Sequence, residues 1–181
     1  MTEPTSPIQI ADFRLLWLAR FAQVLATTGM VVIIGYQLYD TARSDYGMSP
    51  RDAAFQLGLL GLFQFVPLAL MTPVAGWVAD RFERRRVAQF ANMIDLGIAL
   101  TLGLMTASDS LTLPALFMMA AAHGVARVFL GPSMSAIAPN IVPPAILPRA
   151  IAMSSIAWQS ASVIGPAAGG LLYGVMPALP Y

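Results

Sequence analysis

The chain of 181 residues has no cysteine, a single histidine, and only 10% Asp, Glu, Lys and Arg. Without cysteine there is no disulfide framework and no thiolate metal site, and the redox state of the compartment leaves no mark. Lysine is missing as well, so every basic residue is an arginine. Soluble domains are about a quarter charged, and a chain this poor in charge lacks the polar surface to face water. In its place the sequence is 57% apolar, with a mean hydropathy of +0.70. The apolar residues come in long blocks rather than in short periodic stripes. A soluble fold of this length could not hide so much apolar surface, so composition points to an all-α, polytopic helical membrane protein.

The net charge of +1 says little about partners, and nothing in the composition points to nucleic acid. The N-terminal MTEPTSPIQIADF is polar and weakly acidic, and the apolar run after it is too long for a cleavable signal peptide. The N-terminus is therefore expected to stay in the mature protein. A helix crossing the bilayer core of about 30 Å needs about 20 apolar residues, and about five blocks qualify: Phe13 to Leu38, Ala53 to Ala79, Val87 to Ala107, Leu113 to Ala138 and Ala150 to Met176. Between them lie YDTARSDYGMSPRD, DRFERRR, SDSLT and PNIVPPAILP, the last too rich in proline for a continuous helix. Arg14, the cluster Arg81, Arg84, Arg85 and Arg86, and Arg149 all fall on one side of this arrangement. The other side has Arg43 and Arg51, offset by Asp40, Asp45, Asp52 and Asp109. The positive-inside bias then makes the N-terminus cytoplasmic and puts Tyr181 on the outer side.

The stretch GWVADRFERRRV concentrates the charge that the rest of the chain lacks. Topology alone accounts for its arginines, but not for Gly76 or Asp80. A glycine one turn before a carboxylate, at a helix end, suits a docking device: another backbone comes close while the acid accepts from a helix N-terminus or an arginine. The pattern GxxxDRxxRRR resembles the loop between the second and third helices of the major facilitator superfamily, and it falls between the second and third spans here. The resemblance implies that Gly76, Asp80, Arg81, Arg84, Arg85 and Arg86 belong to a cytoplasmic gate that closes against the opposite half of a transporter.

Two further segments carry the same resemblance. In SASVIGPAAGGLLYG, the run Gly165, Pro166, Gly169 and Gly170 looks like the fifth-helix motif of the family's exporters, although alanine stands where a further upstream glycine is usual. Ala157, Ala161, Gly165 and Gly169 recur every fourth residue and form a small-residue face for a neighbouring helix. That face would also suit contact between copies of the chain. Pro166 removes one intrahelical bond. In the fourth span, Arg127 followed by Gly131 resembles part of a motif of proton-coupled drug exporters. Counted at 1.5 Å per residue from Ala138, Arg127 lies about 16 Å deep, and Asp95, counted from Arg86, about 13 Å. The two are thus a candidate ion pair on adjacent antiparallel helices, either permanently structural or opened by a proton, with Asp95 or Asp80 as the switching acid. His123, one turn from Arg127, is either a titrating member of this intramembrane network or hydrogen-bonded packing. Arg20 either snorkels to the surface or joins the network. Gln23, Gln64 and Gln159 are polar candidates for a central cavity.

Over nearly the whole chain the sequence resembles the enterobactin-exporter and macrolide-efflux branch of the superfamily. A departure lies in PNIVPPAILPRA, where Pro144 and Ala145 replace the charged residues usual after VP. The resemblance implies secondary active transport: proton-driven efflux of drugs, siderophores or other small amphiphiles by alternating access across the bacterial inner membrane, with no cofactor. About five spans make an incomplete 3+3 inverted repeat of an N-terminal bundle, so the expected partners are the lipid bilayer, a small-molecule substrate, protons and the missing C-terminal half. The chain is then a fragment of a longer product; the alternative is a truncated remnant or a non-transporting assembly or regulatory subunit. A membrane enzyme is a third class, but no metal spacing or paired carboxylates occur inside a span.

Overall fold

The chain folds into helices because long apolar stretches must satisfy their backbone hydrogen bonds internally. The computed structural model describes residues 5–135 and 137–181, with the side chains of 131–135 outside that description. A 3-10 turn, Pro7–Gln9, leads into α1 (Ala11–Ser44), followed by α2 (Pro50–Arg81), α3 (Arg84–Ala107), α4 (Leu113–Ser135), the single turn α5 (Ala138–Ile141) and α6 (Leu147–Val175). A second 3-10 turn, Pro144–Ile146, joins α5 to α6. The proline-rich PNIVPPAILP is therefore not featureless: it takes part in two short turns, with Pro139 second in α5 and Pro144 opening the 3-10 turn, both positions in a first turn that suit proline.

Helix ends follow local chemistry. α1 continues six residues past Leu38 because Thr41 and Ala42 still pack inward and no glycine or proline interrupts it before Gly47. Gly47 takes φ +60°, a left-handed conformation that glycine adopts without a steric penalty. Ser49 then caps α2: its Oγ accepts from the Asp52 amide at 3.2 Å and donates to the Asp52 carboxylate at 2.7 Å, with Pro50 beginning the helix.

Four helices, α1 to α4, are both long and apolar enough to cross a membrane. α6 has the length, at 29 residues, but not the apolarity, because serines, glycines and Gln159 dilute its apolar side chains. At 1.5 Å per residue α1 is about 51 Å long, so it tilts or projects beyond a core of about 30 Å.

Two sets of helices pack side by side: α1 along α6, and α4 between α2 and α3, joined where α1 meets α2 and α4. The larger core, around Ile34, Leu38, Leu60, Leu102 and Leu116, lies towards the end holding the α1–α2 connection. A smaller cluster of Phe13, Val142 and Ala150, flanked by Trp17 and Met153, closes the opposite end. α2 is the least embedded, burying only Ala53, Leu60 and Ala75 and exposing Phe55, Phe65 and Leu70.

Candidate functional site

At the turn between α2 and α3, Arg81 in the last turn of α2 and Glu83 at the N-cap of α3 suit the helix dipoles, but other charges oppose them. Asp80 stands in the last turn of α2, where the dipole is negative, and Arg84 to Arg86 fill the first turn of α3, where it is positive. Local helix stability therefore does not explain them. Arg86 pairs with Glu83 at 2.8 Å, an exposed contact of little energetic weight. The Arg81 guanidinium lies 4.7 Å from the centre of the Trp77 ring. Asp80, Arg84 and Arg85 are exposed. The close backbone approach expected at Gly76 is absent from the described residues: a Cβ built there meets nothing within 4 Å. The reason is geometric, since Gly76 lies on the exposed side of the least embedded helix.

The intramembrane pair differs from the expected one. His123 is fully buried on α4, and its Nδ1 lies 2.9 Å from Oδ1 of Asp95 on α3, whose side chain is 12% exposed. No described carboxylate pairs with Arg127, which is half-buried. The correction comes from the helix ends. α4 ends at Ser135 and α3 begins at Arg84, so Asp95 is about 16 Å along its helix, His123 about 18 Å and Arg127 only about 12 Å. Asp95 thus meets the histidine one turn further in. Nε2 of His123 is buried with no hydrogen-bond partner among the described residues.

Beside this pair, α4 touches α2 almost backbone to backbone: a Cβ on Gly124 would lie 2.5 Å from the Gln64 carbonyl oxygen. Sequence reasoning missed Gly124. The signal was the small pair Ala120 and Gly124, four residues apart on the face that buries both. Arg20 is half-buried on α1 and forms no ion pair with a described acid. Gln23 donates to Thr27 at 3.1 Å within α1, while Gln159 is exposed and so lines no enclosed cavity within this chain. The surroundings of Gly131 lie outside the described residues.

The α1–α6 seam is built from small residues. A Cβ on Gly165 would lie 2.5 Å from both the Leu25 carbonyl and Thr28 Oγ1, and one on Gly169 would lie 2.8 Å from Ile33. Ala157 and Ala161 are fully buried on the same face. Thr28 Oγ1 donates to Val24 at 2.8 Å and also lies 3.4 Å from the Ala161 carbonyl. The seam is pinned at one end by Trp17 Nε1 donating to the Met153 carbonyl at 2.9 Å and at the other by the edge-on rings of Tyr36 and Tyr173. The small-residue face is thus filled by α1 and is not open to another copy of the chain. Gly170 has nothing within 4 Å of a built Cβ, and Pro166 sits inside the continuous helix.

Each end of the bundle has a cleft. One, of about 460 Å³, brings Asp12, Arg85 and Asn92 together with Ile137 and Ile141, so the start of α1, the charged turn and α5 share one end. The other, of about 570 Å³, is lined by Asp40, Asp45, Asp109, Gln37 and Tyr173. There Gln37 donates to Thr106 at 2.7 Å and accepts from the Tyr181 hydroxyl, and burial pushes the Tyr181 phenol well above its ordinary pKa. No three His, Asp or Glu side chains converge on a metal-sized site among the described residues.

Comparison with known proteins gives these features a family. An uncharacterised MFS-type transporter of Mycobacterium tuberculosis is 32% identical over 117 residues, covering 64% of this chain and 26% of that protein. Macrolide efflux protein A of Streptococcus pyogenes is 23% identical over 159 residues, covering 88% of this chain and 39% of its own length. Putative multidrug resistance protein MdtD of Escherichia fergusonii is 25% identical over 157 residues, covering 87% and 31%. The chain therefore spans well under half the length of these relatives. No solved structure matches it significantly. The sequence profile of the Major Facilitator Superfamily matches residues 16–177, nearly the whole of this multi-pass bundle, and the chain belongs to that superfamily.

Proposed function

We propose that the complete transporter containing this chain exports small amphiphilic molecules, drugs or siderophores, across the bacterial inner membrane by alternating access, driven by protons. The observation that carries this reading is the buried Asp95–His123 pair, a charge-bearing contact between two apolar helices where such groups are costly unless they serve a pathway. The names of relatives, macrolide efflux and multidrug resistance, support the direction and the substrate class. α6 makes the fifth crossing, held against α1 by its small-residue face. The N-terminus is cytoplasmic, which puts Gly76, Asp80 and the arginines of the α2–α3 turn at the inner gate. They close against the second half of the transporter; the open side of Gly76 and the uncovered flank of α2 leave room for it. Chemistry on the substrate is not required, so the protein works as a transporter rather than an enzyme.

The test is accumulation of labelled compounds in everted membrane vesicles containing the full gene product. A macrolide, a cationic dye and a siderophore are expected to include at least one transported compound, and its uptake is expected to stop when an ionophore collapses the proton gradient. Uptake that ignores the ionophore would remove proton coupling; no uptake of any amphiphile would remove the substrate class.

A further inference from the structure

We infer that the proton-binding atom of this transporter is Nε2 of His123, with Asp95 as its positioning residue; the inference rests on the proton-driven reading above. Nδ1 faces the Asp95 carboxylate at 2.9 Å, and an ionised carboxylate can only accept, so the proton of the neutral ring sits on Nδ1. That leaves the lone pair of the ring on Nε2, which is fully buried and has no partner among the described residues. Nδ1 engages Oδ1 of Asp95, whereas Nε2 has no partner among the described residues. A proton from water adds to this lone pair, the ring becomes an imidazolium paired with Asp95, and the same proton leaves from Nε2 on the other side of the cycle.

The surroundings make this proton a conformational signal. α2 carries no ionisable residue between Asp52 and Asp80, α3 carries only Asp95 between Arg86 and its end at Ala107, α1 has Arg20 and then Tyr36, and α4 itself adds Arg127. Asp95 is the one described acid paired with the ring. A newly protonated Nε2–H would be a buried donor without an acceptor, which is unfavourable. Protonation thus favours an arrangement in which Nε2 meets water.

The variant His123→Asn keeps a donor in place of Nδ1 and deletes the Nε2 base. Purified complete transporter in proteoliposomes is expected to retain substrate–substrate exchange in this variant but to lose gradient-driven transport and substrate-induced proton release. Asp95→Asn, which keeps the imidazole, is expected to retain proton release with an altered pH profile. If the unaltered transporter is gradient-driven and His123→Asn is too, this inference is overturned while proton-driven export stands. If the unaltered transporter ignores the gradient, both fall. Should His123→Asn fail to fold, nitrogen-15 NMR of the unaltered protein, with histidines outside this chain replaced, reads the same atom. Nε2 is expected to change from a bare to a protonated nitrogen as pH falls, and a nitrogen that keeps one state across the active pH range overturns the inference.

Discussion

A single methyl group tests the α1–α6 seam. Gly165→Ala would set a carbon 2.5 Å from the Leu25 carbonyl, a backbone atom that cannot rotate away. The expected cost is about 1–3 kcal/mol, as for other overpacked cores, seen as a lower melting temperature of the purified protein. Gly170→Ala, five residues on in open space, is expected to cost nothing measurable. Gly124→Ala, facing the Gln64 carbonyl at 2.5 Å, is expected to behave like Gly165→Ala. Equal effects at 165 and 170 would mean that the seam does not limit stability. The faces of Ala157, Ala161, Gly165 and Gly169 were readable from sequence because the helical period fixes which residues share a side. The partner of Asp95 was not. Its identity depended on counting depth from the ends of two helices, and starting from Ala138 instead of Ser135 shifts the count by about 4.5 Å, nearly the turn that separates His123 from Arg127.

Helix by helix, burial says more than hydropathy. α2 is among the most apolar segments, yet it is the least enclosed, and Asp80 stands in its last turn, where the dipole disfavours an acid. Asp80→Asn is expected to leave the melting temperature unchanged or slightly higher, because the carboxylate is exposed and makes no described ion pair. Export by the complete transporter is expected to fall in the same variant; unchanged export would take Asp80 out of the gate. α6 shows the converse, with fewer apolar residues but a face fitted closely to α1. Trp17→Phe removes the donor to the Met153 carbonyl at 2.9 Å and is expected to cost about 1 kcal/mol in the same thermal assay. Helix existence was legible because runs of about 20 apolar residues have few alternatives. Helix ends were less so: the residues that extend α1 to Ser44 are polar in sequence, and only tertiary packing keeps Thr41 buried.

At the level of the whole molecule, the start of α1, the turn at Glu83 and α5 gather at one end, and the turn at Ser110 lies at the other. The cysteine-free sequence makes sidedness easy to check. In intact cells, with cysteines outside this chain replaced, a membrane-impermeant maleimide is expected to label Ser110→Cys, and to label Glu83→Cys only after permeabilisation. The reverse pattern would turn the assigned orientation over. The arginine bias is the basis for the proposed orientation, and counting spans made the grouping of turns at each end legible. The pairing of first helix with last was not, since no local pattern in α1 names its neighbour.

That pairing also sets a timetable. Thr28 and the Ala161 carbonyl it approaches are 133 residues apart along the chain, and synthesis proceeds at about 5–20 residues per second. For on the order of ten seconds after it emerges, α1 therefore waits in the membrane without the small-residue face of α6 that packs against it. Among the helices of this chain, a factor that shields nascent segments from premature association has a long task at α1.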